Sequence, residues 1–331
     1  MLNVTLRQLE YLIAAAETGS VTAAAGRLFL SQSAVSTALT DLEATLGVQI
    51  FIRHARGLAL TGVGQQVIVD ARRLIAGVED LRNSVLESSE ALSGRLIVGC
   101  YSTLAPILLP SIIAEFTESH PGVDVSFIEG SYGQLEEQLR NGTIDLAILY
   151  DFTFDKRRFP RDFAANVMAT TPPYVILPEG HRLAEHASLT LAQLAPEPMI
   201  LFDLPPGGDY FLSFFQAEEL TPNIRFRTTS FEMVRALVAR GLGYSILSQR
   251  TNITMSYEGN AFVTVPLNGG HRGLSVSAVH LAGVRLTRRA TAFIDQCQRA
   301  LAVRNGAMTD GSRGLGFEKT EVISRKDLLD T

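Results

Sequence analysis

Cysteine is scarce in this chain. Cys100 and Cys297 are the only two among 331 residues. That is too few for a disulfide framework and fits a reducing compartment. Long apolar runs are also missing. No stretch of about 18 apolar residues goes uninterrupted, so no transmembrane helix is expected. The first 20 residues carry Glu10 and Glu17 and lack a basic start leading into an apolar run. A secretory signal is therefore not expected, and the expectation is a cytoplasmic protein with no membrane partner. His120, His181, His186, His271 and His280 show no metal-ligand spacing. No GxSxG, P-loop or GxGxxG stands in the context its chemistry needs, so neither an enzyme nor a metal or cofactor is expected. Positive charge is lacking too. The net charge is -5, and in residues 1–60 Arg7, Arg27, Arg53 and Arg56 are matched by Glu10, Glu17, Asp41 and Glu43. Any duplex contact made by that region would draw little on phosphate attraction. It would rely on dimerisation and helix N-termini.

What is present is a globular composition, 46% hydrophobic and 19% charged. The length suits two or three domains. Thr5 and Gln8 form a capping box, after which Leu6, Leu9, Leu12 or Ile13, and Ala16 recur at helical spacing. Gly19-Ser20 stops that helix and caps a short, Ala-rich second one, Val21 to Leu28. In a third helix Val35, Leu39, Leu42 and Leu46 make one apolar stripe. Ser33, Ser36, Thr37 and Thr40 make a separate polar stripe, with Gln32 at its N-terminal end. A helix seated on one side, with short hydrogen-bonding side chains on the other, suits the major groove. Two β-like runs then flank a turn that holds Arg53, His54, Arg56 and Gly57. They read as a wing whose arginines face phosphate or the minor groove.

Beyond Thr61 the chain has no proline until well past Leu92. Val67, Ala71, Leu74, Val78, Leu81 and Val85 step by four and three, which is a heptad seam. So narrow a stripe predicts a partner helix from a second copy of the chain. Packing on the chain's own body is the alternative. Residues 95–303 then alternate strand and helix, which predicts an α/β fold with mainly parallel sheets. Ligands of such sheets lie beyond the carboxyl ends of strands, near helix starts. Those places hold Tyr101, Ser102 and Thr103, then Gly130 and Ser131, then Phe202, then Thr229 and Ser230, with Tyr150 as a further lining residue. Hydroxyls and free amides there suit a small carboxylate or another oxygen-rich effector. Each could instead simply cap its helix.

Residues 5–64 resemble the winged helix-turn-helix of LysR-type transcriptional regulators. The matching stretches are LRQLEYLIAAAETGSVTAAAGRLFLSQSAVSTALTDLEATLGVQIF, Arg53 and RGLALTGVG. The family's Ser-Gln-Pro-Ala-Val-Ser-Arg is here Ser31-Gln32-Ser33-Ala34-Val35-Ser36-Thr37. The resemblance places Gln32 and Ser36 at the DNA. Thr37 stands where the family has arginine and cannot make a charged contact. PGVDV at 121–125, NGTIDLAI at 141–148, LPEGHRLA at 177–184 and ALVARGLGYSIL at 236–247 resemble the family's two-lobed, periplasmic-binding-protein-like effector domain. The resemblance implies a winged helix-turn-helix over 1–61, a dimerising linker helix over 62–93 and an effector domain over 94–303. One lobe would be 95–166 with 268–303, the other 167–267. It also implies a homodimer or homotetramer that binds double-stranded promoter DNA of partial dyad symmetry and a small-molecule effector. A cytoplasmic solute-binding protein, or a cleft enzyme with helices for assembly, are the competing readings.

Three features fall outside this scheme. Cys100 and Cys297 read as buried apolar thiols rather than a redox pair. Lys156, Arg157, Arg158 and Arg161 read as a solvated basic loop. Residues 304–331 read as a mobile tail.

Overall fold

The computed structural model describes residues 4–54, 57–85, 91–152, 159–249, 251 and 253–309. α1 (Leu6–Thr18) opens on the expected capping box. The Gln8 amide donates to Thr5 Oγ1 and the Thr5 amide to Gln8 Oε1. Gly19, at φ 62°, ends it. Ser20 caps α2 (Val21–Leu28), whose Ala24 and Ala25 are buried and so allow close helix approach. Ser31 caps α3 (Gln32–Leu46), which buries Val35, Leu39 and Leu42. The wing is the antiparallel hairpin of β1 (Phe51–His54) and β2 (Gly57–Leu60). Gly57 is required at its tip. Its φ is 132°, and a Cβ there would lie 2.5 Å from the Gly19 carbonyl oxygen. The same oxygen accepts a 2.7 Å hydrogen bond from the Leu58 amide, which straps the wing to the α1–α2 turn.

α4 (Gly62–Val85) is the expected long helix, but its apolar stripe has two uses. Ile68 and Ala71 are buried in the core of α1, α3 and the wing, and Val67 packs against it. Ala71 is 2% exposed, whereas Leu74 is 57% and Val78 41% exposed. The six-residue seam is thus corrected. Val67 and Ala71 are engaged by the chain's own head, because the first turns of α4 roof over α1. Among the described side chains of the stripe, Leu74 and Val78 are the ones open to another helix. The side chains of Leu81 and Val85 lie outside the described residues.

The remaining chain forms two lobes. It runs β3 (Gly94–Tyr101), α5 (Ala105–Ser119), β4 (Val123–Gly130), α6 (Tyr132–Arg140), β5 (Leu146–Asp151) and β6 (Phe163–Thr171). It crosses at Pro172-Pro173 into β7 (Tyr174–Pro178), α7 (Leu191–Leu194), β8 (Pro198–Phe202), α8 (Gly207–Ala217), β9 (Asn223–Thr228), α9 (Phe231–Ala239), β10 (Ser245–Leu247) and β11 (Phe262–Pro266). It returns as β12 (Leu274–Leu281) and α10 (Arg288–Thr309). The first sheet has the order β4-β3-β5-β12-β6. The second lobe has β10-β7-β11 and the pair β8-β9, joined by a parallel bridge between Met199 and Tyr244.

Both lobes are mixed sheets, not mainly parallel ones. β3 runs parallel to β4 and β5, and β8 to β9. β12 is antiparallel to β5 and β6, and β7 is antiparallel to β10 and β11. The reason is the double crossing, since a strand returning from the other lobe enters its sheet from the opposite end. The expected boundary at 166/167 also cuts β6, which stays paired with β12 as far as Thr171. α10 continues to Thr309, past the expected end at 303. The rest of the anticipated tail lies outside the described residues.

Candidate functional site

Two places concentrate the chemistry. The first is the outer face of α3. Gln32, Ser33, Thr37 and Thr40 are exposed and Ser36 is half-exposed. The buried Val35–Leu39–Leu42 stripe lies opposite and turns them outward. Ser33 Oγ lies 3.1 Å from Ser31 Oγ, and Thr40 Oγ1 donates to the Ser36 carbonyl at 3.0 Å. Arg53 reaches from β1 to Ser36 Oγ at 3.4 Å, so wing and helix present one continuous surface. Arg56 lies outside the described residues. Glu43 was not foreseen as a positioning residue. Its Oε1 accepts from the Ile50 amide at 2.7 Å and the Phe51 amide at 3.0 Å, pinning the start of the wing to α3. Only its place near the end of an amphipathic helix could have signalled this.

Glu17 of α1 pairs with Arg27 at 2.6 Å and with Arg72 of α4 at 3.1 Å. Arg72 also donates to the Gly142 carbonyl at 3.1 Å, in the turn between α6 and β5. Burial lowers its pKa, and Glu17 and Asp145 oppose that shift. One guanidinium therefore joins the head, the linker helix and the first lobe.

The second place is a narrow slot between the lobes, with a cavity volume of about 20 Å³, room for about one water. Tyr101, Thr103, Tyr150, Phe152 and Leu274 line one side, and Phe202, Gly207, Phe211, Phe231, Leu247, Ser248 and Gln249 the other. Tyr101, Tyr150 and Phe152 meet edge to face at 5.8–5.9 Å. The Tyr101 hydroxyl donates to the Leu204 carbonyl at 3.4 Å and links the two lobes. Of the anticipated residues, Tyr101, Thr103, Tyr150 and Phe202 meet in this slot. The others are occupied elsewhere. Ser102 Oγ donates to the Gly130 carbonyl at 2.9 Å, and Ser131 forms a capping box with Gln134. Ser230 Oγ accepts from the Met233 amide, and Thr229 is exposed and not a lining residue. Phe152, Phe211, Ser248 and Gln249 were missed. Ser248 and Gln249 follow β10, so the rule about strand ends could have found them. Phe152 lies two residues beyond Tyr150, on the same face.

Both cysteines are buried. Burial pushes the Cys297 thiol up to about 12 and Cys100 well above its ordinary value, so neither is a ready thiolate. Of the basic loop, Arg161 is exposed, and Lys156, Arg157 and Arg158 lie outside the described residues. Among the described residues no His, Cys, Asp and Glu cluster could hold a metal, and no helix is long and apolar enough to cross a membrane.

Comparison with known proteins places these features in a family. The model for the LysR substrate binding domain matches residues 89–302, and that for the bacterial regulatory helix-turn-helix protein, lysR family, matches 6–65. The chain belongs to the LysR family of transcriptional regulators. This LysR-family regulator is 32% identical to the uncharacterised HTH-type transcriptional regulator YvbU of Bacillus subtilis over 74% of its length and 82% of YvbU. It is 30% identical to the HTH-type transcriptional activator CmpR of Synechocystis over 75% of its length and 80% of CmpR. Among solved structures, HinK, a LysR family regulator from Pseudomonas aeruginosa, aligns over 90% of this chain and 98% of HinK with a TM-score of 0.60 and 34% identity. The regulator CbnR in complex with its target DNA shares the fold, at a TM-score of 0.51 and 24% identity over 90% of this chain and 99% of CbnR. These relatives are transcriptional regulators, not enzymes. The architecture is therefore an N-terminal helix-turn-helix head joined to a two-lobed α/β effector-binding domain. The chain is a DNA-binding regulator with a place for an effector.

Proposed function

We propose that this regulator works as a homodimer, with pairs of dimers forming a tetramer, on promoter DNA of partial dyad symmetry. Gln32, Ser33, Ser36, Thr37 and Thr40 enter the major groove. Arg53 touches the backbone beside it. The single observation that carries this reading is the outward, short-chained polar face of α3, continued by Arg53 on the wing. Target DNA bound by CbnR, a protein of the same fold, supports it. Leu74 and Val78 face a second copy of α4, since they form the part of the stripe the head leaves uncovered. The effector occupies the slot between the lobes, near Thr103, Tyr150 and Phe202. Closure around it changes the separation of the two heads and hence transcription.

The test is a gel shift of the full chain on DNA upstream of its own gene. A salt-sensitive, sequence-selective shift that is weakened by Gln32→Ala and Ser36→Ala is the expected result. Absence of any selective shift, with or without small molecules, overturns the reading.

A further inference from the structure

We propose that the groove between α1 and α3 seats the sugar-phosphate backbone of the bound duplex, with Arg7 as its cation. This rests on the reading that α3 enters the major groove, and it names how the strand beside that helix is held. The groove has a volume of about 550 Å³, against about 20 Å³ in the slot between the lobes. Thr5, Arg7 and Tyr11 of α1 line one side, and Ser33, Thr37 and Asp41 of α3 the other. Ser33 and Thr37 also belong to the outward face of α3, so groove and face are continuous. A helix with its side chains is about 10–12 Å across and the major groove about 12 Å wide, so an inserted α3 meets a backbone on each flank. At about 100° per residue, Ser36 lies to one side of the line through Ser33 and Thr37, and Asp41 to the other. Arg53 of the wing stands on the Ser36 flank, and the groove with Arg7 forms the opposite one.

Three donors at the groove have no partner among the described residues. They are the Arg7 guanidinium and the hydroxyls of Tyr11 and Thr37. Phosphate oxygens accept from groups of both kinds, most strongly from a guanidinium. Thr5, by contrast, is spent on its capping box with Gln8, and Ser33 Oγ lies 3.1 Å from Ser31 Oγ. The head has no positive field to draw a duplex in, so a cation must act by its position. Residues 1–60 hold four arginines. Arg27 is paired with Glu17 at 2.6 Å, Arg53 reaches Ser36, and Arg56 lies outside the described residues. Arg7 is exposed and has no ion pair among the described residues.

Among the lining residues Asp41 is the one carboxylate, and it too is exposed. It repels a phosphate and so works against the contact that Arg7 makes. The two residues should therefore move affinity in opposite directions. Thr37 supplies a further handle. It stands where LysR-family members carry arginine, and its short side chain leaves the groove open. An arginine at position 37 would bring its charge into the space that Arg7 serves.

The test is fluorescence anisotropy of the full chain on DNA upstream of its own gene and on an unrelated duplex of equal length, between roughly 0.05 and 0.2 M salt. Arg7→Ala is expected to weaken both duplexes alike, by about five- to tenfold, and to lower the slope of log K against log salt by about 1. Arg7→Lys is expected to keep the slope. Asp41→Asn is expected to strengthen both duplexes by about two- to threefold. Thr37→Arg added to Arg7→Ala is expected to bring the slope back. Arg7, Thr37 and Asp41 are exposed, so the thermal transition should stay in place in every variant. Unchanged affinity and slope in Arg7→Ala, while Gln32→Ala still weakens selective binding, overturns the groove contact and leaves α3 as the reading helix. A loss in Arg7→Ala confined to the upstream DNA, at unchanged slope, overturns the backbone contact in favour of base reading. Weaker binding by Asp41→Asn overturns the groove as a phosphate seat. Selective binding that is indifferent to Gln32→Ala and Ser36→Ala overturns the placement of α3, and the groove contact falls with it.

Discussion

The head and the lobes solve the problem of recognition in opposite ways. The head turns its polar groups outward. Gln32, Ser33 and Thr37 are exposed, and the local charge is balanced. The slot turns its polar groups inward, among rings, with the Tyr150 hydroxyl and Gln249 Oε1 left without partners. A solvated polar face costs nothing before the partner arrives, so its specificity comes from geometry. A buried unpartnered group carries a cost that a hydrogen-bonding occupant, a single water included, relieves. Affinity at the head should therefore respond to salt and to rigid placement. Affinity in the slot should respond to single hydrogen bonds.

Five substitutions can break or sharpen this contrast. The largest effect is expected on α4, where the two uses of one helix stripe divide. Ala71→Glu buries a carboxylate in the head core and should destabilise the head by about 3–5 kcal/mol, abolishing DNA binding. Leu74→Glu, one turn on, should leave the head folded and lower the dimer fraction. Thermal melts and sedimentation velocity measure the two outcomes, and equal effects would erase the division. Next is Gly57→Ala, which combines a φ of 132° with a 2.5 Å approach to the Gly19 carbonyl oxygen. It should cost about 2–3 kcal/mol in the head's melting transition and leave ligand binding by the lobes intact. Arg53→Ala should weaken DNA binding by about tenfold and reduce the slope of log K against log salt by about 1. An unchanged slope would remove Arg53 from the phosphate contacts. The smallest effect is expected from Tyr150→Phe without ligand. The hydroxyl has no partner to lose, so stability should change by less than about 0.5 kcal/mol, or rise. A loss above about 1.5 kcal/mol by chemical denaturation would mean the hydroxyl is bonded in the free protein.

The head was more legible in the sequence than the slot, and the difference is physical. The Thr5–Gln8 box, the Ser20 cap and the Val35–Leu39–Leu42 stripe are all local, set by spacings of three and four. A helical face can be read from such spacings alone. The slot brings Tyr150 together with Phe202, Gln249 and Leu274. No periodicity links residues so far apart. Strand-end reasoning reached Tyr101, Thr103, Tyr150 and Phe202, but it also gathered Ser102, Ser131 and Ser230, whose hydroxyls serve their own backbone. The first part of the linker seam differs from the expectation for a related reason. Heptad spacing records that a stripe is covered and not what covers it. Ala71 is covered by its own head, and Leu74 is not. β6, β9 and β11 are less legible in the sequence because FAANVMATT, NIRFRT and FVTVP lack the runs of large aliphatic residues seen in a central strand such as β5.

The fusion of α4 with the head has a mechanical consequence. Ile68 and Ala71 belong to the head's core and Arg72 to its ion pairs, so the head and the first turns of α4 move as one stiff piece. With 24 residues, α4 is a rod of about 36 Å. Pivoting such a rod by roughly 10° at its far end swings the reading tip by about 6 Å, nearly two base-pair steps along a duplex. On the proposed reading, a small adjustment where the lobes meet would be geared up into a choice between neighbouring stretches of DNA. The Arg72–Gly142 hydrogen bond, with Val69 of α4 close to the same turn, ties the arm to the first lobe and would have to yield before the arm could travel.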